Sequence, residues 1–416
     1  MLPEKKCGAR AMADEIRPET DAAFRDDGES IGLFEPLTVS EGAKARPLLN
    51  TLARTIAEKA TSFATSTPPA FVDALADIMR IADCYYSNLI EGHHIHPLDI
   101  ERAMQGELLG DERMLELQSE ALAHVTVQKC IDNGEIESYP FSVKAVCDIH
   151  RRFYELGPRQ LRLMRSANGE VVTLEPGVIR SRDVKVGRHV PVSPGAVPRF
   201  LARLERAYKP TSQTANILNA ACGHHRLLWV HPFLDGNGRV ARLVSYAQLQ
   251  STLGTKSSWS LARGLALRKN EYMAHLQSCD EPRRGSLDGR GTLSEAALSE
   301  FAEFFLNTCI EQADFVSSLI EPDVLRHRAR TWALEEEAAG RLPQGSEIAL
   351  TLLLCEGECD RSKAASLIGT NGSSPEGVIE ALQMSRIAWF DLSRSTLRIA
   401  FPVRLTMRIM PELLPA

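Results

Sequence analysis

The sequence predicts an all-α body with one small β-hairpin, followed by a C-terminal portion of three short helices and two strands. Three observations carry that expectation. Apolar residues recur at three- and four-residue spacing through most of the span from 69 to 339. One stretch, 169–192, breaks that period with Val, Gly and Pro. From about 345 the text changes again, to short helical runs and two alternating strands.

Taken in order, residues 1–45 mix Pro3, Pro18 and Pro36 with the acidic cluster Asp26, Asp27 and Glu29, and are expected to form a mobile arm. An N-terminal helical region spans 46–112. Within it, a helix at about 69–92 opens on Pro68 and Pro69, places Phe71, Leu75, Ile78, Met79 and Ala82 on one face, and meets Gly92 where a left-handed cap belongs. A core over 113–340 follows, with helices at 113–131 and 141–156. The alternating segment Val184–Val190 is then expected to pair with Glu170–Leu174 as a hairpin. Further helices are expected at 194–208, 213–230, 238–252, 294–317 and 323–339.

Residues 345–405 read as a winged helix. Helices are expected at 347–356, 360–368 and 374–384, the last with Ser373 and Glu376 at capping-box spacing and Pro375 in the first turn. Strands follow at 387–392 and 396–401 around a polar turn, and 406–416 forms a tail. Between 347 and 405 six basic residues face seven acidic ones, and the third helix holds Glu376 and Glu380 without Lys or Arg. A DNA-binding regulator would need cationic contacts to phosphate, so protein docking or internal packing is the better expectation and nucleic acid an unlikely partner.

Bulk properties narrow the function classes. The chain has 416 residues, 44% hydrophobic and 25% charged, which suits a multidomain globular protein. No apolar stretch approaches the roughly 20 residues that cross a bilayer. The first residues, with Glu4, Lys5, Lys6, Asp14 and Glu15, do not resemble a secretory signal. Nine cysteines without paired spacing fit reduced thiols, so a cytoplasmic setting is expected. A formal net charge of -6 gives no general attraction to nucleic acid or anionic lipid.

The chemistry concentrates in His231-Pro-Phe-Leu-Asp235-Gly-Asn237-Gly-Arg239-Val-Ala-Arg242. Pro232 disfavours helix at His231, so the preceding helix ends there and leaves an imidazole at the mouth of a loop. Asp-Gly and Asn-Gly in succession supply unencumbered amides just before the next helix, a cradle for phosphate at a positive helix end. Arg239 and Arg242 are three apart, so both are expected on one face with their forks toward anionic oxygens. Asp235 offers a hard oxygen for Mg²⁺ and His231 a general base. The spacing fits no EF-hand, and His224, His225 and His231 show no zinc pattern, so the first two are expected to pack beside the site.

This string resembles the Fic motif at each defining position, and residues 70–335 resemble Fic proteins in helix order. The resemblance implies a protein adenylyltransferase moving AMP from ATP onto a Ser, Thr or Tyr hydroxyl. It implies His231 as base and Asp235 on Mg²⁺. Gly236, Asn237 and Gly238 would hold the inner phosphates, Arg239 and Arg242 the outer ones. Glycine at 238, where the Doc kinase branch has lysine, favours AMP transfer over phosphate transfer. The segment Pro176–Arg180 with the strand after it resembles the family's flap, so Ile179, Arg180, Val184 and Val186 are expected to dock an extended target.

Upstream, Ser87-Asn-Leu-Ile-Glu91-Gly92 resembles the family's N-terminal inhibitory motif. Glu91 is then expected to pair with Arg242, with Ser87 as part of the motif, leaving a weakly active resting state. Inhibited members of the family are often homodimers. The alternatives are use of another nucleotide donor, the reverse removal of AMP directed by Glu91, or a winged-helix regulator.

Overall fold

Local chemistry sets where the helices start and stop in the computed structural model, which describes residues 15–16, 25–165, 169–369 and 374–415. Helices α1 (Arg46–Ser66) and α2 (Pro69–Glu91) carry proline in the first turn, where a missing N–H costs no helix bond. Gly92 ends α2 at φ 83°, a left-handed value that glycine adopts without steric cost. Helix α3 (Pro97–Met104) follows. Asp111 and Ser142 then cap α4 (Glu112–Asp132) and α5 (Val143–Leu156). Past the β-segments come α6 (Val197–Ala207), α7 (Gln213–Val230), α8 (Asn237–Leu253), α9 (Leu261–Leu267), α10 (Lys269–Cys279), α11 (Glu295–Leu319) and α12 (Pro322–Ala338).

The centre is the antiparallel pair α7 and α8. Residues 217–227 of α7 are buried without interruption, and so are 239–245 of α8, so both helices are covered on every side. Helices α1, α6 and α11 pack on α7, while α2, α4 and α5 pack on α8. The loop between the two central helices, 231–236, is therefore fixed at both ends by the core.

Residues 25–45 are not the mobile arm expected. Phe34 is fully buried and its ring lies 4.9 Å from Phe200 and 5.6 Å from Trp229. Leu37 and Val39 are buried too, and Arg226 Nε of α7 donates to Pro36 O at 2.9 Å. Arg199 and Arg203 of α6 pair with Asp26, Glu29 and Glu35. An irregular segment of this kind buries its apolar residues without a period, so a periodicity search passes over it. Residues 1–14 and 17–24 of the expected arm lie outside the described residues.

The expected hairpin pairing is also different. Strand β1 (Glu15–Ile16) pairs with β4 (Val184–Lys185), and β2 (Leu163–Arg165) pairs with β3 (Val171–Thr173), all antiparallel. Glu170–Leu174 and Val184–Val190 do not pair with each other, because the chain between them is drawn onto the 231–236 loop. Arg180 N donates to Pro232 O at 2.9 Å, and Gly177 N donates to His150 Nδ1 at 2.8 Å.

The C-terminal portion holds α13 (Ser346–Glu356), β5 (Glu358–Asp360), α14 (Arg361–Gly369), α15 (Pro375–Met384), β6 (Ala388–Asp391) and β7 (Thr396–Ile399). The sheet order is β5-β7-β6; β5 adds a strand to the two expected, and nothing in this order conflicts with a winged helix. The cap of α15 is Ser374, one residue beyond the expected Ser373, which lies outside the described residues. Residues 403–409 form helix α16 (Val403–Ile409), and Met410, Leu413 and Leu414 are buried, so the expected tail is part of the core. Among the described residues no helix is long and apolar enough to cross a membrane.

If the 25–45 segment is core, Phe34→Ala should lower the free energy of unfolding by roughly 3–5 kcal/mol in urea denaturation. A loss under about 1 kcal/mol would contradict that packing.

Candidate active site

His231 closes α7 at φ 51° and ψ 62°, a left-handed conformation unfavourable for a side chain with a Cβ. The surroundings enforce it. Arg180 is buried and its Nε donates to His231 O at 2.7 Å, while His231 N still donates to Leu227 O at 3.1 Å. The imidazole Nδ1 lies 3.3 Å from Leu228 O. His231 is thereby held at the loop mouth, as the proline after it suggested.

Asn237 staples the loop. Its Oδ1 accepts from Phe233 N at 3.0 Å and its Nδ2 donates to Phe233 O at 2.9 Å. Phe233 is fully buried and stacks on His150, with ring centroids 3.7 Å apart. Gly236 turns the chain into α8 at φ 79°, and a Cβ there would sit 2.7 Å from Tyr154 Oη. The start of α8 is thus bordered closely by side chains, Tyr154 at Gly236 and Glu91 with Arg242 at Gly238, and glycine at both positions makes that approach possible.

Asp235 Oδ2 accepts from Tyr154 Oη at 2.6 Å and from Arg239 Nη2 at 2.9 Å. Burial pushes the Asp235 pKa up, but Arg239 and the Tyr154 hydroxyl outweigh it and hold the carboxyl below its ordinary value. The side chain retains 32% exposure, so an ionised oxygen stands at the rim of the cradle, a chemistry suited to Mg²⁺.

The two motif arginines do not share an anion face. Arg239 Nη1 donates to Glu120 Oε1 and its Nη2 contacts Tyr154 Oη at 3.2 Å, with the guanidinium 5.1 Å from the Phe153 ring centroid. Arg242 turns to α2. Its Nε donates to Ser87 Oγ at 2.9 Å, and its Nη2 donates to Ser87 O at 3.2 Å and Glu91 Oε1 at 2.6 Å. The reason is that α4 offers a buried carboxylate on one side and α2 a carboxylate on the other. A Cβ on Gly238 would overlap the Glu91 carboxylate, so that carboxylate rests against the helix start where an anionic ligand belongs.

Of the flap residues, Arg180 and Val184 are buried and Ile179 and Val186 half-buried. Arg180 and Val184 are thus structural here. The exposed surface beside the motif is a cleft of about 230 Å³ between Val171–Glu175 and Val178–Arg182, floored by Leu234. His224 contacts Ser245 and Tyr272, and His225 contacts Asp280, so both pack beside the site. Sequence reading did not find Glu120, Tyr154, His150 or His93. The usable signal was polarity in the wrong place: Glu120 stands among the buried Leu117, Ala121 and Ala123 of α4 with a carboxylate that has no exposure at all.

Burial depresses His150 and His224 to a pKa of about 3 and His225 to about 4. The folded state refuses protons that the unfolded chain takes up below about pH 6.5, so these groups give their full stability above that pH and lose it as pH falls. Urea midpoints should drop between about pH 7 and about pH 5, and His150→Asn, which keeps an acceptor for Gly177 N but cannot protonate, should shallow the drop. An unchanged pH slope in that variant would contradict a neutral buried His150.

Residues 140–249 match the family model for the Fic/DOC family. A protein adenylyltransferase Fic of Drosophila yakuba is 27% identical over 199 residues, covering 47% of this chain and 36% of that protein. Its namesake in Drosophila melanogaster is 28% identical over 162 residues, 38% of this chain and 30% of that protein. The chain thus spans about a third of the length of these relatives. A Fic family protein from Desulfovibrio desulfuricans matches in fold with a TM-score of 0.50 at 15% identity, covering 88% of this chain and 98% of its own. This chain therefore carries a Fic/DOC-family domain over residues 140–249.

Proposed function

We propose that the chain is a protein adenylyltransferase that moves AMP from ATP to a hydroxyl side chain of a target protein and rests in an inhibited state set by Glu91. The observation that supports this reading most is the Glu91 carboxylate, which accepts from Arg242 at 2.6 Å and lies against Gly238 at the start of α8, the end of a helix that favours an anion. His231 takes the proton of the incoming hydroxyl, whose oxygen attacks the α-phosphorus as pyrophosphate leaves. The α8 amides hold the phosphates, and Arg242, once freed, holds the terminal one. Asp235 would hold Mg²⁺, which neutralises phosphate charge when bound. Among the described residues no three His, Cys, Asp or Glu gather as a metal cage, which suits an ion shared between one carboxylate and a nucleotide.

The cleft beside Leu234, lined by Ile179 and Arg180 of the expected flap but not by Val184 or Val186, is the candidate for the target's extended segment. The C-terminal portion serves packing in this reading. Arg398 pairs with Asp73 of α2 at 3.0 Å, Arg386 lies 3.6 Å from Glu107, and Phe401 meets Phe71 with ring centroids 5.1 Å apart, so this portion is fastened to the helical body. A cytoplasmic setting accords with reduced thiols.

With α-labelled ATP and Mg²⁺, Glu91→Gly should raise label on protein roughly tenfold or more, and adding His231→Ala should remove roughly 100-fold or more of it. Equal labelling of wild type and Glu91→Gly would overturn the inhibitory role. Label that survives His231→Ala would overturn the catalytic one.

A further inference from the structure

The inhibitory end of α2 is held at a second point. Glu91 and His93 flank Gly92, whose left-handed φ reverses the chain, and the two side chains reach different helices. Glu91 meets Arg242 on α8; His93 meets Glu120 on α4, with Nδ1 2.9 Å from Oε2 and 3.1 Å from Oε1. Glu120 is wholly buried, and its Oε1 also accepts from Arg239 Nη1. Burial pushes its pKa up, but Arg239 and His93 outweigh that and keep it below the ordinary value, so Glu120 is ionised and Nδ1 is the donor. A buried carboxylate is tolerated only with its donors in place, and His93 supplies one of them. From Glu120 the path continues through Arg239 Nη2 to Asp235. One residue past the expected inhibitory motif thus ties the end of α2 to a buried carboxylate of α4.

We propose that His93 is a positioning residue that seats the inhibitory end of α2 through Glu120 and Arg239, independently of the Glu91–Arg242 pair. The proposal rests on the transferase reading given above. Release of the site then requires two contacts to break, and His93 is needed only while Glu91 is present to inhibit. It predicts opposite behaviour from a residue that merely supports the fold, whose loss would lower activity in every background.

The experiment compares His93→Ala and His93→Asn in the full-length chain, each with Glu91 intact and as Glu91→Gly. Transfer is measured with α-labelled ATP, and amide hydrogen exchange over residues 92–96 is measured without nucleotide. Asparagine presents an N–H close to where imidazole Nδ1 stood and can still donate to Glu120. With Glu91 intact, His93→Ala should raise transfer roughly five- to tenfold and speed exchange by a similar factor, the net worth of one hydrogen bond from a partly exposed side chain. His93→Asn should remain near wild type in both. In the Glu91→Gly background His93→Ala should change transfer less than about twofold, because Arg239 still pairs with both Glu120 and Asp235. Unchanged exchange in His93→Ala, or an equal fall in transfer in both backgrounds, would overturn the proposal. Faster exchange with no label from Glu91→Gly would instead overturn the transferase reading, so the two failures are read apart.

Discussion

A buried guanidinium must have a counter-charge, and Arg242 is one with a side-chain exposure of only 5%. Either an oxygen of α2 or an oxygen of a bound anion must meet it. In this structure Ser87 and Glu91 do so, four residues apart and hence on one face of α2. That single requirement explains why α2 must end where it does. It also explains why a carboxylate lies against the start of α8, where helix dipole and free amides would otherwise favour phosphate.

The remaining structure serves to make that competition decisive. Burial of α7 and α8 fixes the loop between them, and Arg180 and Asn237 bond its backbone at His231 and Phe233. Glu120 and Tyr154 hold Arg239 and Asp235, so the two motif arginines are divided between a structural network and the anion position. At its far end α2 is gripped by the C-terminal portion through Asp73 and Phe71. Moving the Glu91 end of α2 therefore works against a helix that is also fastened at its start.

The 231–242 string was legible because its chemistry is contiguous: proline ends a helix, glycines turn the chain, and arginines follow at helical spacing. Ser87 and Glu91 stood out only through their resemblance to the family's inhibitory motif, with Gly92 marking the helix end. Glu120, Tyr154, His150 and His93 were not, because each reaches the site by tertiary packing from a separate element. The hairpin pairing failed for a related reason. Of the strand expected over 184–190 only Val184–Lys185 forms, because the chain turns back at Gly187 and Arg188 between the bridged Val186 and His189, and Arg180 and Gly177, bonded to Pro232 and His150, decide which strands can meet. Phe34 and Leu413 were passed over because irregular chain can be core without showing a period.

The central claim is that Glu91 occupies the place of a nucleotide phosphate on Arg242 and the α8 amides. A crystal structure of Glu91→Gly with Mg²⁺ and a non-hydrolysable ATP analogue tests it most directly. The account predicts the terminal phosphate on Arg242, the inner phosphates on the Gly236–Gly238 amides, and the α-phosphorus within reach of a hydroxyl held at His231. A nucleotide bound away from Arg242, with Ser87 still its sole partner, would contradict it.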